Sequence, residues 1–177
     1  MKHFLKPYSK KTELSIEGIL TLSSNKIYLH FRISGALKNY QFPQKDILKR
    51  ANELWKATCF ELFLANSKIQ SYYEINISSM LHWNVYSLKK YRAEPKEFII
   101  FSKPFIEIRE GDQSYKIDFE LECKELYLAE FDQYNLAVIL LNMENKREFW
   151  TLNPVGESPD FHNRDGFIFC ENIIKSE

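Results

Sequence analysis

The chain has no surplus of charge, no long apolar run and no paired set of cysteines. Its 24 basic and 24 acidic residues cancel to a formal net charge of zero. Nucleic acid calls for a basic surplus, at least locally. The clearest basic runs, Lys2–Lys11 and Lys89-Lys90-Tyr91-Arg92, are short and read as solvated surface. No nucleic-acid partner is therefore expected. No uninterrupted apolar stretch approaches the roughly 18 residues of a membrane span. The longest candidate, Leu136 to Met143, contains Asn142 and suits a buried strand, so no membrane partner is expected either. The start, Met1-Lys2-His3-Phe4-Leu5-Lys6-Pro7, loses its apolar character at Lys6 and Pro7 and does not read as a secretory signal. Cys59, Cys123 and Cys170 are an odd set without paired spacing, which predicts free thiols in a reducing, cytoplasmic compartment. No histidine lies near Cys59 in sequence to activate it as a nucleophile. Asn76-Ile77-Ser78 matches a glycosylation acceptor, which carries no meaning without secretion. Repeats, low-complexity tracts and internal linkers are also missing. One domain over residues 1–177 is the expectation.

Core material, by contrast, is plentiful: 45% of residues are hydrophobic and 15% aromatic. Much of it alternates with polar residues, as in strands buried on one face. Phe60, Leu62 and Leu64 point one way, and Cys59, Glu61 and Phe63 the other. A regular strand would put Trp55 and Ala57 with the latter set. Tyr73, Ile75 and Ile77 share a face, opposite Tyr72, Glu74, Asn76 and Ser78. One side of this strand pair is thus apolar. The other carries acids, an amide and aromatic rings, which suits solvated surface or the holding of a polar ligand with a flat apolar side.

The remaining runs extend the pattern. Thr12 to Leu22 reads as a strand or two with a break at Gly18, and Lys26 to Ser34 as another. A loop is expected from Gly35 to Ile47 and a short helix from Asp46 to Leu54. Phe105 to Arg109 and Tyr115 to Glu122 predict a hairpin around Gly111. Lys124 to Phe131 suits a helical turn or an irregular crossing. Asn135 to Asn142, Phe149 to Leu152 and Phe167 to Cys170 read as strands, the last two separated by a long turn-rich loop. Many strands with little helix predict an all-β fold, an antiparallel β-sandwich.

Leu54-Trp55, then Cys59-Phe60-Glu61-Leu62-Phe63, Tyr73-Glu74-Ile75-Asn76, Trp83 and Tyr86 resemble the DOMON-like superfamily. More closely, they are similar to bacterial proteins related to carbohydrate-binding module family nine. Phe149-Trp150-Thr151-Leu152-Asn153-Pro154 and Pro159-Asp160-Phe161-His162 extend the resemblance to about residues 10 to 172. The resemblance implies a β-sandwich that binds a saccharide without catalysis. In that family two tryptophans sandwich a sugar ring, and Glu, Arg and Asn bond its hydroxyls. Trp55 matches the first tryptophan and Glu61 the acid. Trp150, in preference to Trp83, is expected as the second tryptophan, and Arg92 as the guanidinium. Glu74, Asn76 and His162 complete the expected ligand-binding set.

Two ions or cofactors come with the resemblance. The family often has acids before the strand core that hold structural calcium, but here those places are Ala57, Thr58 and Cys59, which argues against the ion. Some DOMON domains hold haem between Met and His. Met80, His82, Met143 and His162 are present, but no spacing singles out a pair. Asp160, His162 and Asp165 offer metal-type ligands, but a loop pinned by Asp and His hydrogen bonds to its own backbone is the expected reading, and no metal site is expected. Two other functions remain open. One is a glycosidase using Glu61 and Glu74 on neighbouring strands. The other is an interaction or structural domain with a protein partner.

Overall fold

In a computed structural model, residues 2–9 and 13–170 are described. Lys10 and Lys11 of the first basic run, and Thr12 at the start of the first expected strand, lie outside them. The described residues form β1 (Lys2–Pro7), β2 (Leu14–Leu22), β3 (Lys26–Gly35), β4 (Lys49–Arg50), β5 (Cys59–Ala65), β6 (Tyr72–Ser78) and β7 (His82–Leu88). After these come β8 (Lys96–Glu97), β9 (Phe105–Gly111), β10 (Ser114–Glu122), β11 (Gln133–Leu141), β12 (Arg147–Thr151) and β13 (Ile168–Phe169). The fold is all-β, as expected.

β9, β10, β3, β2 and the first part of β1 make one antiparallel sheet. β1 then changes sheets: Lys2 to Leu5 pair with β2, whereas Lys6 and Pro7 pair with β12. The second sheet runs β12–β11–β5–β6–β7, with β13 on the start of β11 and the short β4 and β8 on β7. The two sheets meet through their apolar faces. Phe60 of β5 packs against Phe31 of β3, with ring centroids 5.3 Å apart, and stacks on Tyr115 of β10 at 6.0 Å.

The sheets differ in what covers their outer sides. β2, β3 and β10 alternate between buried and partly exposed positions, so the first sheet is open on one face. β5 is buried at every position, and β6 and β11 at nearly every one, so the second sheet is covered on both faces. A smaller apolar cluster containing Leu54, Phe63, Tyr72, Tyr86, Phe161 and Phe167 lies on its outer side. The cover comes from the segment before β5 and from the long loop after β12.

The sequence reading needs several corrections. Gly18 does not break its strand. β2 runs through it, and a Cβ there would meet Leu136 Cδ1 at 2.9 Å, so the missing side chain admits a neighbour from the facing sheet. Asp46 to Leu54 is extended rather than helical. Asp46 bonds His82 Nε2 at 3.0 Å, and Arg50 donates to Asn84 Oδ1 at 2.9 Å and to the Phe98 carbonyl at 2.6 Å. These contacts outweigh the local helical preference. Among the described residues helical geometry is confined to 3-10 turns such as Leu54–Lys56 and, within the expected irregular crossing, Leu128–Glu130. β1, which joins the sheets, was not anticipated.

Trp83 and Trp150 belong to the core between the sheets, 3% and 2% exposed. Neither is available to stack on a ligand without unpacking the fold, so the expected role of both is corrected. The physical reason is the two-residue period of a strand. On β12, Phe149 faces outward and Trp150 inward. On β7, Tyr86 faces outward and Trp83 inward. Trp150→Ala is therefore expected to cost about 3–5 kcal/mol of stability, read from urea denaturation followed by far-ultraviolet circular dichroism. A loss below about 1 kcal/mol would contradict this core placement.

Candidate functional site

On the outer face of the second sheet, cross-strand register sets the polar groups in rows. One row runs Thr151, Ala137, Glu61, Asn76, Asn84. The next runs Asn135, Phe63, Glu74, Tyr86. Glu61 and Glu74 are thus diagonal neighbours on adjacent strands. Both are buried, at 3% and 6% exposure. Glu74 accepts a hydrogen bond from Asn76 Nδ2 at 2.8 Å. Glu61 Oε1 has no partner among the described residues.

A cavity of about 340 Å³ opens above these two acids. Trp55, Phe149 and Phe161 supply aromatic surface, Leu88 and Ile139 aliphatic surface. Arg92, Arg147 and His162 also line it. Trp55 reaches the cavity from the turn Leu54–Lys56, not from a strand. Glu53, with φ of 60°, turns the chain there, and the indole meets the Tyr86 ring edge-on at 6.1 Å.

Asp160 holds the long loop over the sheet. It accepts from the Tyr91 hydroxyl, from Arg92 Nη2 at 3.0 Å and from the His162 backbone N–H at 3.1 Å. Burial works against its charge, but the Tyr91 and Arg92 bonds hold its carboxyl below the usual range. Asp165 makes its backbone bond to Asn163 instead of joining Asp160 and His162. The Asp160–His162 bond is the pinned-loop arrangement, and among the described residues no three His, Cys, Asp or Glu gather as a metal ion needs.

Burial governs the protonation of the site. It pushes Glu61 well above the carboxylate range, assisted by the charge of Glu74, while the Cys59 thiol works the other way. It raises Glu74 to about 7 despite the opposing bond from Asn76. It also raises Cys59, with Glu61 and Glu74 adding to the effect, so this thiol is a poor nucleophile. His162 is lowered to about 4 by burial and by Arg92, and its Nδ1 lies 2.7 Å from the Tyr72 hydroxyl.

Trp55, Glu61, Glu74, Arg92 and His162 come together in this cavity. Asn76 adjoins it through Glu74, whereas Trp83 and Trp150 point into the core. Sequence reasoning missed Phe149, Phe161 and Arg147. Pairing β12 against β11 would have found the first, because Ile139 opposite Phe149 shares its outward face. The place of the family's calcium does not fit the ion. Thr58 donates to the Gln41 carbonyl at 2.7 Å and accepts from the Leu141 N–H at 3.2 Å, and no carboxylate stands at Ala57, Thr58 or Cys59. Haem does not fit the cavity either: no methionine lines it, and its one histidine already faces Tyr72.

No family model matches the sequence, and no curated protein matches it. Solved structures do. A protein from Bacteroides uniformis, provisionally described as carbohydrate-binding, is 16% identical with a TM-score of 0.63, over 94% of this chain and 84% of that one. The two chains share a fold. A family 9 carbohydrate-binding module from Caldicellulosiruptor kristjanssonii also matches, in complexes with cellotriose and with glucose. Each match is 11% identical with a TM-score of 0.49, over 86% of this chain and 72% and 74% of the respective neighbours.

Glu74 binds its proton more tightly folded than unfolded. Its contribution to stability is therefore full at low pH and is lost as pH rises from about 4.5 to about 7. His162 has the opposite sign: its contribution is lost as pH falls from about 6.5 to about 4. Comparison with Glu74→Gln separates the two. Across the window of Glu74 the wild type is expected to lose about 1 kcal/mol or more relative to the variant as pH rises, measured by urea denaturation. Parallel stability curves would overturn this.

Proposed function

We propose that the chain is a non-catalytic, DOMON-like binding module that holds a saccharide in the cavity over Glu61 and Glu74. The observation that carries this reading is Glu61: a buried carboxylate with an unpartnered oxygen, lining a cavity with aromatic surface. Buried acceptors without donors are costly, and a ligand hydroxyl is a donor of the right kind. Trp55, Phe149 and Phe161 offer faces for the C–H patches of a sugar ring, with phenylalanines where the resemblance implies a second tryptophan. Arg92 and Arg147 offer donors to ring or hydroxyl oxygens. The fold shared with the Bacteroides protein makes saccharides the first class to test.

A second reading, a domain that meets a protein partner, draws on apolar side chains away from the cavity. Ile99, Phe101 and Phe105 are 65%, 86% and 61% exposed. The cavity favours the first reading, because an interaction face has no need of buried, unpartnered acids.

Intrinsic tryptophan fluorescence titrated with mono- and disaccharides tests the proposal. Of the three tryptophans only Trp55 lines the cavity, so a saturable change is expected in the wild type, and isothermal titration calorimetry, which needs no tryptophan reporter, is expected to show affinity weakened about tenfold or more in Trp55→Ala. The sugar is expected to be recovered chemically unchanged. A flat response from folded protein across the panel would overturn the saccharide reading.

A further inference from the structure

A neutral sugar leaves two buried acids of the cavity without a cationic partner, although Arg92 and Arg147 line the same cavity. Glu61 and Glu74 are two buried acids side by side, and among the described residues no Lys, Arg or His forms an ion pair with either. Arg92 is committed to Asp160 at 3.0 Å. The Arg147 guanidinium lies over the Phe149 ring, 5.7 Å from its centroid. His162 faces the Tyr72 hydroxyl. The other titratable groups that influence the pair are the Cys59 thiol on β5, the Tyr72 hydroxyl on β6 and the Tyr86 hydroxyl on β7, all neutral near pH 7. The one bond from a side-chain amide, Asn76 to Glu74, supplies no charge.

We infer that the cavity selects a saccharide bearing a free amine, with its ammonium group placed on Glu61 and Glu74. This inference rests on the saccharide reading and narrows it. An ammonium brings three N–H donors and a full positive charge, enough to serve the open Glu61 oxygen and Glu74 together. Charge-assisted hydrogen bonds are about twice as strong as neutral ones, and the buried setting of both acids strengthens them further. A neutral hydroxyl offers one donor and brings no charge to the two acids. An N-acetyl group offers a single uncharged N–H and adds bulk at the same point. Trp55 contributes as well, since an indole face attracts a cation.

The proton balance follows from the same geometry. Without ligand, burial keeps protons on the pair, and Glu74 titrates at about 7. An ammonium favours the ionised acids, so binding releases protons. Affinity should rise with pH through about 7 and fall again once the ligand amine loses its own proton.

Isothermal titration calorimetry with matched sugars is the test. The probes are glucosamine, galactosamine and mannosamine, each beside its parent hexose and its N-acetyl derivative. Runs at about pH 6 and about pH 7.5, in two buffers of different ionisation enthalpy, count the protons. The expected result is that at least one free amine binds about tenfold or more tightly than both its hexose and its N-acetyl form, with proton release. Glu61→Gln and Glu74→Gln should each reduce that preference, and circular dichroism checks that they fold. Equal affinity for amine and hexose in the wild type would overturn this inference and leave the saccharide reading standing. Preference for the N-acetyl form would do the same. Binding of none of the sugars would overturn both.

Discussion

Phe60 packs against Phe31 and Tyr115 of the opposite sheet, and the cavity depends on that contact. Successive side chains of a strand point to opposite faces, so Phe60 inside means Glu61 outside. Pairing then carries the parity across the sheet: Val138, Trp150, Ile77 and Ile75 face the core, while Ile139, Phe149, Asn76 and Glu74 face away. A one-residue slip would put Phe60 or Leu62 in the place of Glu61 and turn the acid in between the sheets. The dense aromatic packing of the core therefore also defines the polar face.

That face would be ordinary surface if nothing covered it. The segment before β5 contributes Leu54 and Trp55, and the loop after β12 contributes Phe161 and Phe167, building a second apolar layer around the acids. Asp160 is central to this cover, gathering Tyr91, Arg92 and the His162 backbone. The cover is incomplete, and the gap is the cavity. Desolvation by the same layer explains why Glu61 and Glu74 are pushed towards their protonated forms and His162 towards its neutral one. Aromatic walls, unpaired acids and shifted protonation are thus consequences of a single packing arrangement.

Burying two acids without a cationic partner works against folding. The chain limits the cost by protonation and by the Asn76 bond, but one Glu61 oxygen stays open. Other buried polar atoms also lack partners among the described residues, Tyr115 Oη and Trp150 Nε1 among them, but Glu61 is the one such group that lines the cavity.

Much of this was legible in the residues. Alternation alone separated Phe60, Leu62 and Leu64 from Glu61 and Phe63, and Ile75 and Ile77 from Glu74 and Asn76, because the period of a strand is a local property. The β9–β10 hairpin and the all-β class were legible for the same reason. The tertiary structure decided what depends on partners distant in sequence. It turned Trp150 inward, since its facing depends on the register of β12 against β11. It drew Asp46 to Leu54 out of a helix through His82, Asn84 and Phe98. It ran β2 through Gly18, where the facing Leu136 needs the space. It also brought Phe161, Arg147 and Phe149 to the two acids, closing a cavity from segments whose local pattern carries no sign of one another. The sequence by itself determined which faces are apolar, because side-chain alternation requires no distant contact; only the tertiary structure decided what covers them, because burial belongs to the assembled sheets.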